Sequence, residues 1–402
     1  MDGRAVVAAA LNERPPGTAS RPILALGKAA PAMLAGVAAA SGVAAGPVLA
    51  VARRDSARQG EPGLPGARLL TGDHPVPGPR SFAAGRSVEA FCDAVPPGEC
   101  LICLLSGGTS ALVETPAQGV TVADLVRAHR WLVDSGLPVC AMNAIRGRLS
   151  GLKAGRLARR LRGRRVRVLA ISDVPDDDPA TIGSGPFVPH APRPLPDGLP
   201  GWLRGLVSRA PPPPAPGDQD LAEVSYEIVA DAGRAAESAA AAGRKAGLQV
   251  ALHAPRLTGD TVAAGTRVLR ELDAGPDGLH VWAGETTVAL PDEHGTGGRN
   301  QHLALYLALA LAGQRNVVAL CSATDGCDGE GGAAGGWADG HTVARGQAAG
   351  RNPRRDYERA NSGAFLAAAG DRYVTGPTGT NVMDLVLALK TGGGSVSARH
   401  DG

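Results

Sequence analysis

Residues 22–34 read PILALGKAAPAML, and this stretch sets the fold class of the N-terminal half. The apolar run at 22–27 is typical of a buried strand, Gly27 permits a tight turn, and the alanine-rich run after it favours a helix. Pro31 falls in the first helical turn, where proline is tolerated. Lys28, one of only four lysines among 41 Lys and Arg residues, lies at the junction. A cation beside free helix N–H groups predicts an anion site, with a chance surface lysine as the alternative.

The same alternation of strand and helix continues along the chain. It predicts strands at 22–27, 47–52, 100–105, 166–172, 225–230, 248–253, 279–284 and 316–321, and helices at 28–40, 80–94, 121–135, 143–162, 232–246, 258–273 and 299–312. The proline run at 211–216 can join neither a helix nor a central strand. A length of 402 residues favours two domains, which we place at 1–216 and 217–402. We therefore predict an α/β protein with two α/β/α domains and mainly parallel sheets.

Composition argues against several classes of function. A net charge of +3, with no basic stripe that carries aromatics, does not suit a nucleic-acid partner. No apolar run reaches the roughly 18 residues of a membrane span, and the N-terminal apolar patch suits a helix better than a signal peptide. Cys100 and Cys103 lie in a predicted strand without the second pair that a zinc site needs. We expect a cytoplasmic protein with reduced thiols that acts on a small molecule.

Polar residues follow the predicted strands of the first half, at the edge where parallel sheets bind ligands. Strand 100–105 leads into a loop of glycines and hydroxyls, namely Ser106, Gly107, Gly108, Thr109 and Ser110. Its backbone N–H groups can converge on a phosphate or carboxylate, although an ordinary turn is equally consistent. Asp173 follows strand 166–172 and is a candidate Mg²⁺ ligand or proton acceptor. Asp177 and Asp178 fit a solvated turn.

Two charged residues follow the strand predicted at 279–284 in the second half. Glu285 follows strand 279–284, and a glycine loop then places Arg299 at the start of a helix. The N-terminus of a helix is unfavourable for a cation unless an anion lies there too. This conflict favours a functional role for Arg299 over a structural one.

Two further loops suit phosphate or ribose contacts, although simple turns would explain both. Asp325 lies in an acidic, glycine-rich loop after strand 316–321, and the loop at 375–381 contains Thr378, Gly379 and Asn381. The chain contains no Walker loop. A loose G-x-G-x-x-A at 329–334 does not join a strand to a helix, so it is a weak dinucleotide signal.

These motifs, taken in order, resemble a known family. They occupy residues 27–30, 74–77, 105–112, 172–175, 184–186, 284–287, 298–301, 324–326 and 375–381. The chain resembles the glycerate 2-kinases whose C-terminal part is the MOFRL domain, a family also labelled hydroxypyruvate reductase. The resemblance covers nearly the whole chain. It implies two Rossmann-like domains, with ATP and a hydroxy acid bound in the cleft between them.

The resemblance also implies roles for individual residues. The active-site lysine and arginine of the family fall on Lys28 and Arg299, and Asp173 is the candidate general base or Mg²⁺ ligand. The substrate or phosphate would be bound by Ser106, Gly107, Gly108, Thr109, Ser110, Asn143 and Arg146. The nucleotide would be bound by Glu285, Asp325, Thr378, Gly379 and Asn381.

The chain departs from the family pattern in loops that should face the substrate. The departures are Thr109, Gly147, Arg148, Phe187, His190, His302, Asn361, Gly363 and Met383. They indicate a changed acceptor side, so a kinase for a sugar, a nucleoside or a specialised-pathway intermediate is an alternative to a glycerate kinase. Hydroxypyruvate reductase and a non-catalytic binding protein are further alternatives, the reductase being weakened by the missing dinucleotide fingerprint. ATP and Mg²⁺ are the expected cofactors, and a homodimer is an open option.

Overall fold

The protein forms two units that each have their own sheet. The computed structural model describes residues 2–17, 19–57, 64–191 and 194–392. Contacts divide the chain into residues 2–230 and the part from Asp231 onwards. The boundary predicted at residue 216 is therefore too early. After the proline run the chain adds one more strand to the first sheet before it enters the second unit.

The first unit is a parallel sheet with helices between its strands. Its described strands are β1 (Arg21–Leu26), β2 (Ala45–Arg53), β3 (Arg68–Gly72), β4 (Cys100–Leu105), β5 (Arg165–Ile171) and β6 (Glu223–Ala230). The order is β3-β2-β1-β4-β5-β6 and every pairing is parallel. This order is that of a doubly wound nucleotide-binding sheet, which binds ligands where the order reverses, at the carboxyl ends of β1 and β4. The parallel sheet predicted for this half is confirmed.

The helices of the first unit explain which strands are buried. They are α1 (Gly3–Glu13), α2 (Ala30–Ala39), α3 (Arg54–Ala57), α4 (Pro79–Asp93), α5 (Thr109–Leu112), α6 (Val122–Asp134), α7 (Val139–Leu149), α8 (Arg156–Arg160) and α9 (Gly201–Arg209). Central strands β1 and β4 are buried almost throughout, which is why they read as continuous apolar runs. The single helix predicted at 143–162 is wrong. It is two helices, because Ala154 and Gly155 adopt positive φ values of 51° and 81° in the turn between them.

The second unit contains a mixed sheet. Its described strands are β7 (Val250–Leu252), β8 (Gly278–Gly284), β9 (Val317–Ala323), β10 (Gly335–Asp339), β11 (Arg372–Tyr373) and β12 (Asp384–Lys390). Its helices are α10 (Ala232–Lys245), α11 (Thr261–Ala274), α12 (Arg299–Ala310), α13 (Thr342–Ala348), α14 (Pro353–Glu358) and α15 (Ser362–Ala369). No helix in the described ranges is both long enough and apolar enough to cross a membrane.

The mainly parallel sheet predicted for the second unit is wrong. The order is β11-β10-β9-β12-β8-β7, and only β7 and β8 pair in parallel. Strand β12 lies antiparallel between β8 and β9, with Asp384 opposite both Gly284 and Ala323. Because β12 runs in reverse, its first residue lies at the edge where β8 and β9 end. The α/β class itself is confirmed.

A buried charge cluster joins the segment after α5 to the turn after α7 in the first unit. Glu114 and Lys153 form an ion pair, and their side chains are 0% and 2% exposed. His129 Nε2 lies 3.2 Å from Glu114 Oε2, and Ser150 Oγ donates a hydrogen bond to Glu114 Oε1. Burial opposes ionisation of Glu114, but Lys153 and His129 together outweigh it, so the pKa of Glu114 lies below its usual value. Burial lowers the pKa of Lys153, which the Glu114 carboxylate opposes.

This cluster predicts the effect of neutralising one partner. Lys153→Met leaves the Glu114 carboxylate buried without its cation, so we expect a loss of about 3–5 kcal/mol in the free energy of unfolding, measured in urea at neutral pH. The double variant Glu114→Gln with Lys153→Met keeps the hydrogen-bond acceptor and has no unpaired charge. It should recover at least half of that loss. A loss below about 1 kcal/mol in Lys153→Met would show that the pair is energetically neutral.

Candidate active site

The ends of β1 and β4 meet through an unusually close backbone contact. Gly27 has φ 116°, and a Cβ atom there would collide with Ser106. The Lys28 N–H donates a hydrogen bond to Gly107 O at 2.9 Å, and the Ala29 N–H donates to Ser106 Oγ at 3.1 Å. The turn after β1 and the loop after β4 therefore form one structure, as the strand order predicts.

These contacts correct one expectation about Lys28. Helix α2 begins at Ala30, and the N–H groups of Lys28, Ala29 and Ala30 all donate within the protein. They are not the free helix donors that the sequence predicted for an anion. Any anion bound by Lys28 must therefore be bound through its ammonium group rather than through the N–H groups of residues 28–30.

The glycine loop brings Lys28 and Asp173 to one place. A Cβ atom on Gly108 would lie 3.0 Å from Lys28 Cγ, so the lysine stem lies against this glycine. A Cβ atom on Gly107 would collide with the Asp173 carboxylate, which follows β5. Within the described part of the chain, the N–H groups of Gly107 and Gly108 have no hydrogen-bond acceptor. A cation, a carboxylate and two backbone donors thus surround one small region.

The hydroxyl residues of the loop have two different roles. Thr109 Oγ1 donates to Ser106 O at 2.8 Å and fixes the turn. Ser110 Oγ lies 2.7 Å from Ser184 Oγ, which donates to Asn143 Oδ1 at 2.9 Å. The structure therefore joins Asn143 to the loop through Ser184, a residue that the sequence did not single out as a site residue.

Ser184 is held in an unfavourable backbone conformation. Its φ is 62°, and Gly183 and Gly185 on either side also have positive φ values of 59° and 62°. A non-glycine residue in this region costs of order 1–3 kcal/mol and persists only where its surroundings hold it. The sequence signal that could have found it is the serine flanked by two glycines.

Arg146 belongs to different surroundings from Asn143, although both lie on α7. Burial lowers the pKa of Arg146, and the nearby Glu114 carboxylate opposes that shift. Its Nε atom is buried, with no hydrogen-bond partner among the described residues. The structure thus associates Arg146 with the buried Glu114 cluster, and its predicted role toward substrate stays a prediction.

In the second unit, Arg299 is fixed by two carboxylates. Its Nε donates to Asp384 Oδ2 at 2.6 Å, and its Nη2 donates to Asp384 Oδ1 at 3.0 Å. Nη2 also lies 3.0 Å from Glu285 Oε1. The side chain remains 33% exposed. Burial would lower the pKa of Arg299, but Asp384 and Glu285 outweigh it and raise the pKa.

The start of α12 is satisfied by the protein itself. The buried Asp328 carboxylate accepts hydrogen bonds from the Asn300 N–H at 2.9 Å and the Gln301 N–H at 2.8 Å. A cation at this helix start is therefore balanced by the protein's own carboxylates. A bound anion is therefore not needed to explain an arginine at this helix start, so that reason for expecting a functional role for Arg299 is wrong. Asp384 and Asp328 were both missed as partners, and a charged residue that opens the apolar strand β12 was the available signal for Asp384.

The remaining nucleotide candidates join two loops into one. Asp325 O accepts from the Thr378 N–H at 3.2 Å, and Thr378 Oγ1 donates to Thr324 O at 2.6 Å. Asn381 Oδ1 accepts from the Met383 N–H at 3.2 Å, and Gly379 has φ 75°. These contacts position the loop after β9 against the loop before β12. Binding of a nucleotide by these residues stays a prediction.

The structure also bears on the predicted metal. Within the described ranges, no group of three or more His, Cys, Asp or Glu residues is arranged to bind an ion. Mg²⁺ usually takes only one or two protein carboxylates and completes its shell with water and substrate phosphates. The single carboxylate of Asp173, beside Gly107, fits that pattern.

Comparison with known proteins finds a matching family for each of the two units. Residues 3–194 match a family described as a domain of unknown function, DUF4147, and residues 278–384 match the MOFRL family. A protein of Agrobacterium vitis named as a hydroxypyruvate reductase is 35% identical over 80% of this chain and 88% of its own length. The D-glycerate 2-kinase of Thermotoga maritima is 31% identical over 79% of this chain and 78% of its own length.

Solved structures match over almost the entire chain. A crystal structure of glycerate kinase from Thermotoga maritima has a TM-score of 0.82 at 27% identity, and the match covers 97% of this chain and 96% of that one. A protein of Pyrococcus horikoshii matches with a TM-score of 0.76 at 25% identity, over 98% and 95% of the two chains. The family and the fold class expected from the motifs are confirmed.

The Asp384 carboxyl predicts a dependence of stability on pH. Burial raises its pKa to about 6, against the opposing effect of Arg299. The folded protein therefore binds a proton between about pH 4 and 6 that the unfolded chain releases, and this contribution to stability is lost as pH rises through 6. The Asp384→Asn variant has no carboxyl at this position, so it cannot lose this contribution as the pH rises. Between pH 4 and pH 7, we expect the variant to gain about 2 kcal/mol in unfolding free energy relative to the wild type, because the unfolded carboxyl is already partly ionised at pH 4. Parallel urea-derived stability curves would contradict this assignment.

Proposed function

Because the chain belongs to the glycerate 2-kinase family with a C-terminal MOFRL domain, we propose that it transfers the γ-phosphoryl group of ATP to glycerate, forming 2-phosphoglycerate and ADP. The observation that supports this most is the arrangement at the ends of β1, β4 and β5. Lys28 lies against Gly108, Asp173 lies against Gly107, and the two glycine N–H groups have no acceptor in the described chain.

This arrangement suits the physical demands of phosphoryl transfer. The reaction needs reactants held in line and negative charge offset on the transferring oxygens, with little covalent chemistry from the protein. The Lys28 ammonium and the N–H groups of Gly107 and Gly108 supply positive charge and donors. As the hydroxyl oxygen bonds to the γ-phosphorus and the bond to ADP breaks, Asp173 accepts the hydroxyl proton.

Asp173 has a second role open to it. It would be the protein ligand of Mg²⁺, which, when bound, offsets the charge of the phosphates. One carboxylate is enough for that role because substrate phosphates and water supply the remaining ligands. In either role, Asp173 requires a glycine at position 107, because a larger residue there would displace its carboxylate.

We assign the nucleotide side to the loops of the second unit. Arg299 would direct N–H donors at phosphate oxygens, with its guanidinium orientation fixed by Asp384 and Glu285. The predicted roles of Asp325, Thr378, Gly379 and Asn381 in contacting the ribose or phosphates extend this assignment. Thr378 is hydrogen-bonded to Asp325 and Thr324, and Asn381 to Met383, so these loops have a defined shape before any ligand binds.

A hydroxypyruvate reductase, the name of one relative, is less well supported by the site. Dinucleotide enzymes with this strand order carry a G-x-G-x-x-G turn after β1, which brings backbone close to a pyrophosphate. Here that turn is Gly27 followed by Lys28, and the N–H groups of residues 28–30 are already engaged.

All six cysteines are free thiols, which suits the cytoplasmic location that the composition predicts.

The lysine provides a direct test of the proposed kinase. Lys28→Met keeps the apolar stem against Gly108 and removes the charge, so we expect kcat to fall at least about a hundredfold. Phosphorus NMR of ATP, Mg²⁺ and D-glycerate with the wild type should show 2-phosphoglycerate and ADP in equal amounts. Circular dichroism should show the same fold for both proteins.

A matched control separates charge at this site from net charge. Lys245→Met removes an exposed lysine at the end of α10 and should leave kcat within about twofold of the wild type. Near-normal turnover in Lys28→Met would remove Lys28 from the mechanism. An absence of product with the well-folded wild type would overturn glycerate as the acceptor.

A further inference from the structure

A pocket in the first unit has a size that glycerate, a three-carbon acid, does not need. Its volume is about 630 Å³. Pockets of about 300–1,000 Å³ are those that enclose drug-sized ligands. Its walls are α7, the loop after β5, residues 188–191, the end of α9 and residues 212–216 of the proline run. All of the lining residues belong to the first unit.

One end of this pocket is part of the site already described. Asn143 lines it and accepts the hydrogen bond of Ser184, which continues to Ser110 in the glycine loop. His190 also lines it, and its Nε2 lies 3.1 Å from Ser184 O. The pocket therefore begins at the hydroxyl residues that join the loop after β4.

The other walls of the pocket are apolar. They include Val188, Leu195 and Val207, and the proline run offers ring faces without N–H donors. The charged residues of the lining have partners within the protein. Asp178 accepts hydrogen bonds from the Ala180 N–H and from Thr181 Oγ1, both at 3.0 Å. Arg148 Nη2 donates to Val207 O and Ala210 O, both at 3.1 Å.

We infer that this pocket binds the apolar substituent of an acceptor larger than glycerate. The acceptor class is a 2,3-dihydroxy acid that carries an alkyl or aryl group on the carbon farthest from the carboxylate. Its polar head lies toward Asn143 and the glycine loop, and its substituent lies among Val188, Leu195 and the prolines. The inference rests on the proposed kinase activity, because it assigns the acceptor side of the same reaction.

The first test compares two acceptors with the wild-type enzyme. We expect kcat/KM for β-phenylglycerate to exceed that for D-glycerate at least tenfold, since hydrophobic pockets discriminate by 10–200-fold for even a small apolar group. ADP release and phosphorus NMR measure both reactions. Turnover of D-glycerate without turnover of β-phenylglycerate would overturn the inference and leave the proposed function intact.

The second test fills the pocket from its rim. Ser208 lines the pocket and is exposed at the end of α9, so Ser208→Trp adds bulk without changing a buried position. The ratio of kcat/KM for β-phenylglycerate to that for D-glycerate should fall at least tenfold. Arg204→Trp, exposed on the same helix and not in the lining, should leave the ratio unchanged. Equal ratios in wild type and Ser208→Trp would overturn the inference.

Binding measurements keep the inference testable if neither acceptor is phosphorylated. That result would overturn the proposed function. Calorimetry of β-phenylglycerate with the full-length protein then tests whether the pocket binds an apolar acid. Binding that Ser208→Trp weakens at least tenfold and Arg204→Trp does not would support an apolar-acid site there. No detectable binding would overturn it.

Discussion

The first unit depends on one contact, the approach of the turn after β1 to the loop after β4. Only a glycine at position 27 permits it, because a side chain there would occupy the space of Ser106. Once the backbones touch, the Lys28 N–H binds Gly107 O, and the lysine stem comes to lie against Gly108. This approach engages the N–H groups of Lys28 and Ala29, and the Ala30 N–H is bonded within the turn. The N–H groups of Gly107 and Gly108 have no acceptor in the described chain. The backbone donors available to an anion therefore lie after β4, at Gly107 and Gly108, and not at residues 28–30 after β1.

A second constraint acts through Ser184. Three successive residues with positive φ place its hydroxyl between Ser110 and Asn143, and the Ala154 and Gly155 N–H groups hold the carbonyls of Ser184 and Gly185 at 3.1 and 2.8 Å. The turn that supplies those donors directly follows Lys153, whose ion pair with Glu114 is buried. A buried charge pair thus supports a strained turn, and that turn supports the polar end of the large pocket. Strain of this kind persists only where the surrounding structure enforces it.

The sequence predicted the first sheet well because parallel strands that are buried on both faces read as plain apolar runs. It failed for the second sheet because three strands that pair antiparallel, β10, β11 and β12, were not predicted, and β12 could therefore not be placed between β8 and β9. Lys28 and Asp173 were identifiable as residues directly after strands. Ser184 and Asp328 were not identified as site residues, since the role of each depends on partners more than 25 residues away in the chain, Asn143 for one and Asn300 for the other. The sequence shows such residues only through local features, such as the serine between two glycines at position 184, and it does not reveal their distant partners.

The two predicted active-site cations differ in the charge they offer to a ligand. Arg299 shares its site with Asp384 and Glu285, and the helix start beside it is capped by Asp328, so carboxylates outnumber the guanidinium. Such a site holds donors in a fixed geometry but gives little net attraction to a bare triphosphate. A nucleotide whose charge is partly offset by a divalent cation meets less repulsion from these carboxylates than the free polyanion does. We therefore expect the second unit to recognise a nucleotide by geometry. In the first unit, Lys28 shares its surroundings with the single carboxylate of Asp173, and the N–H groups of Gly107 and Gly108 add donors there.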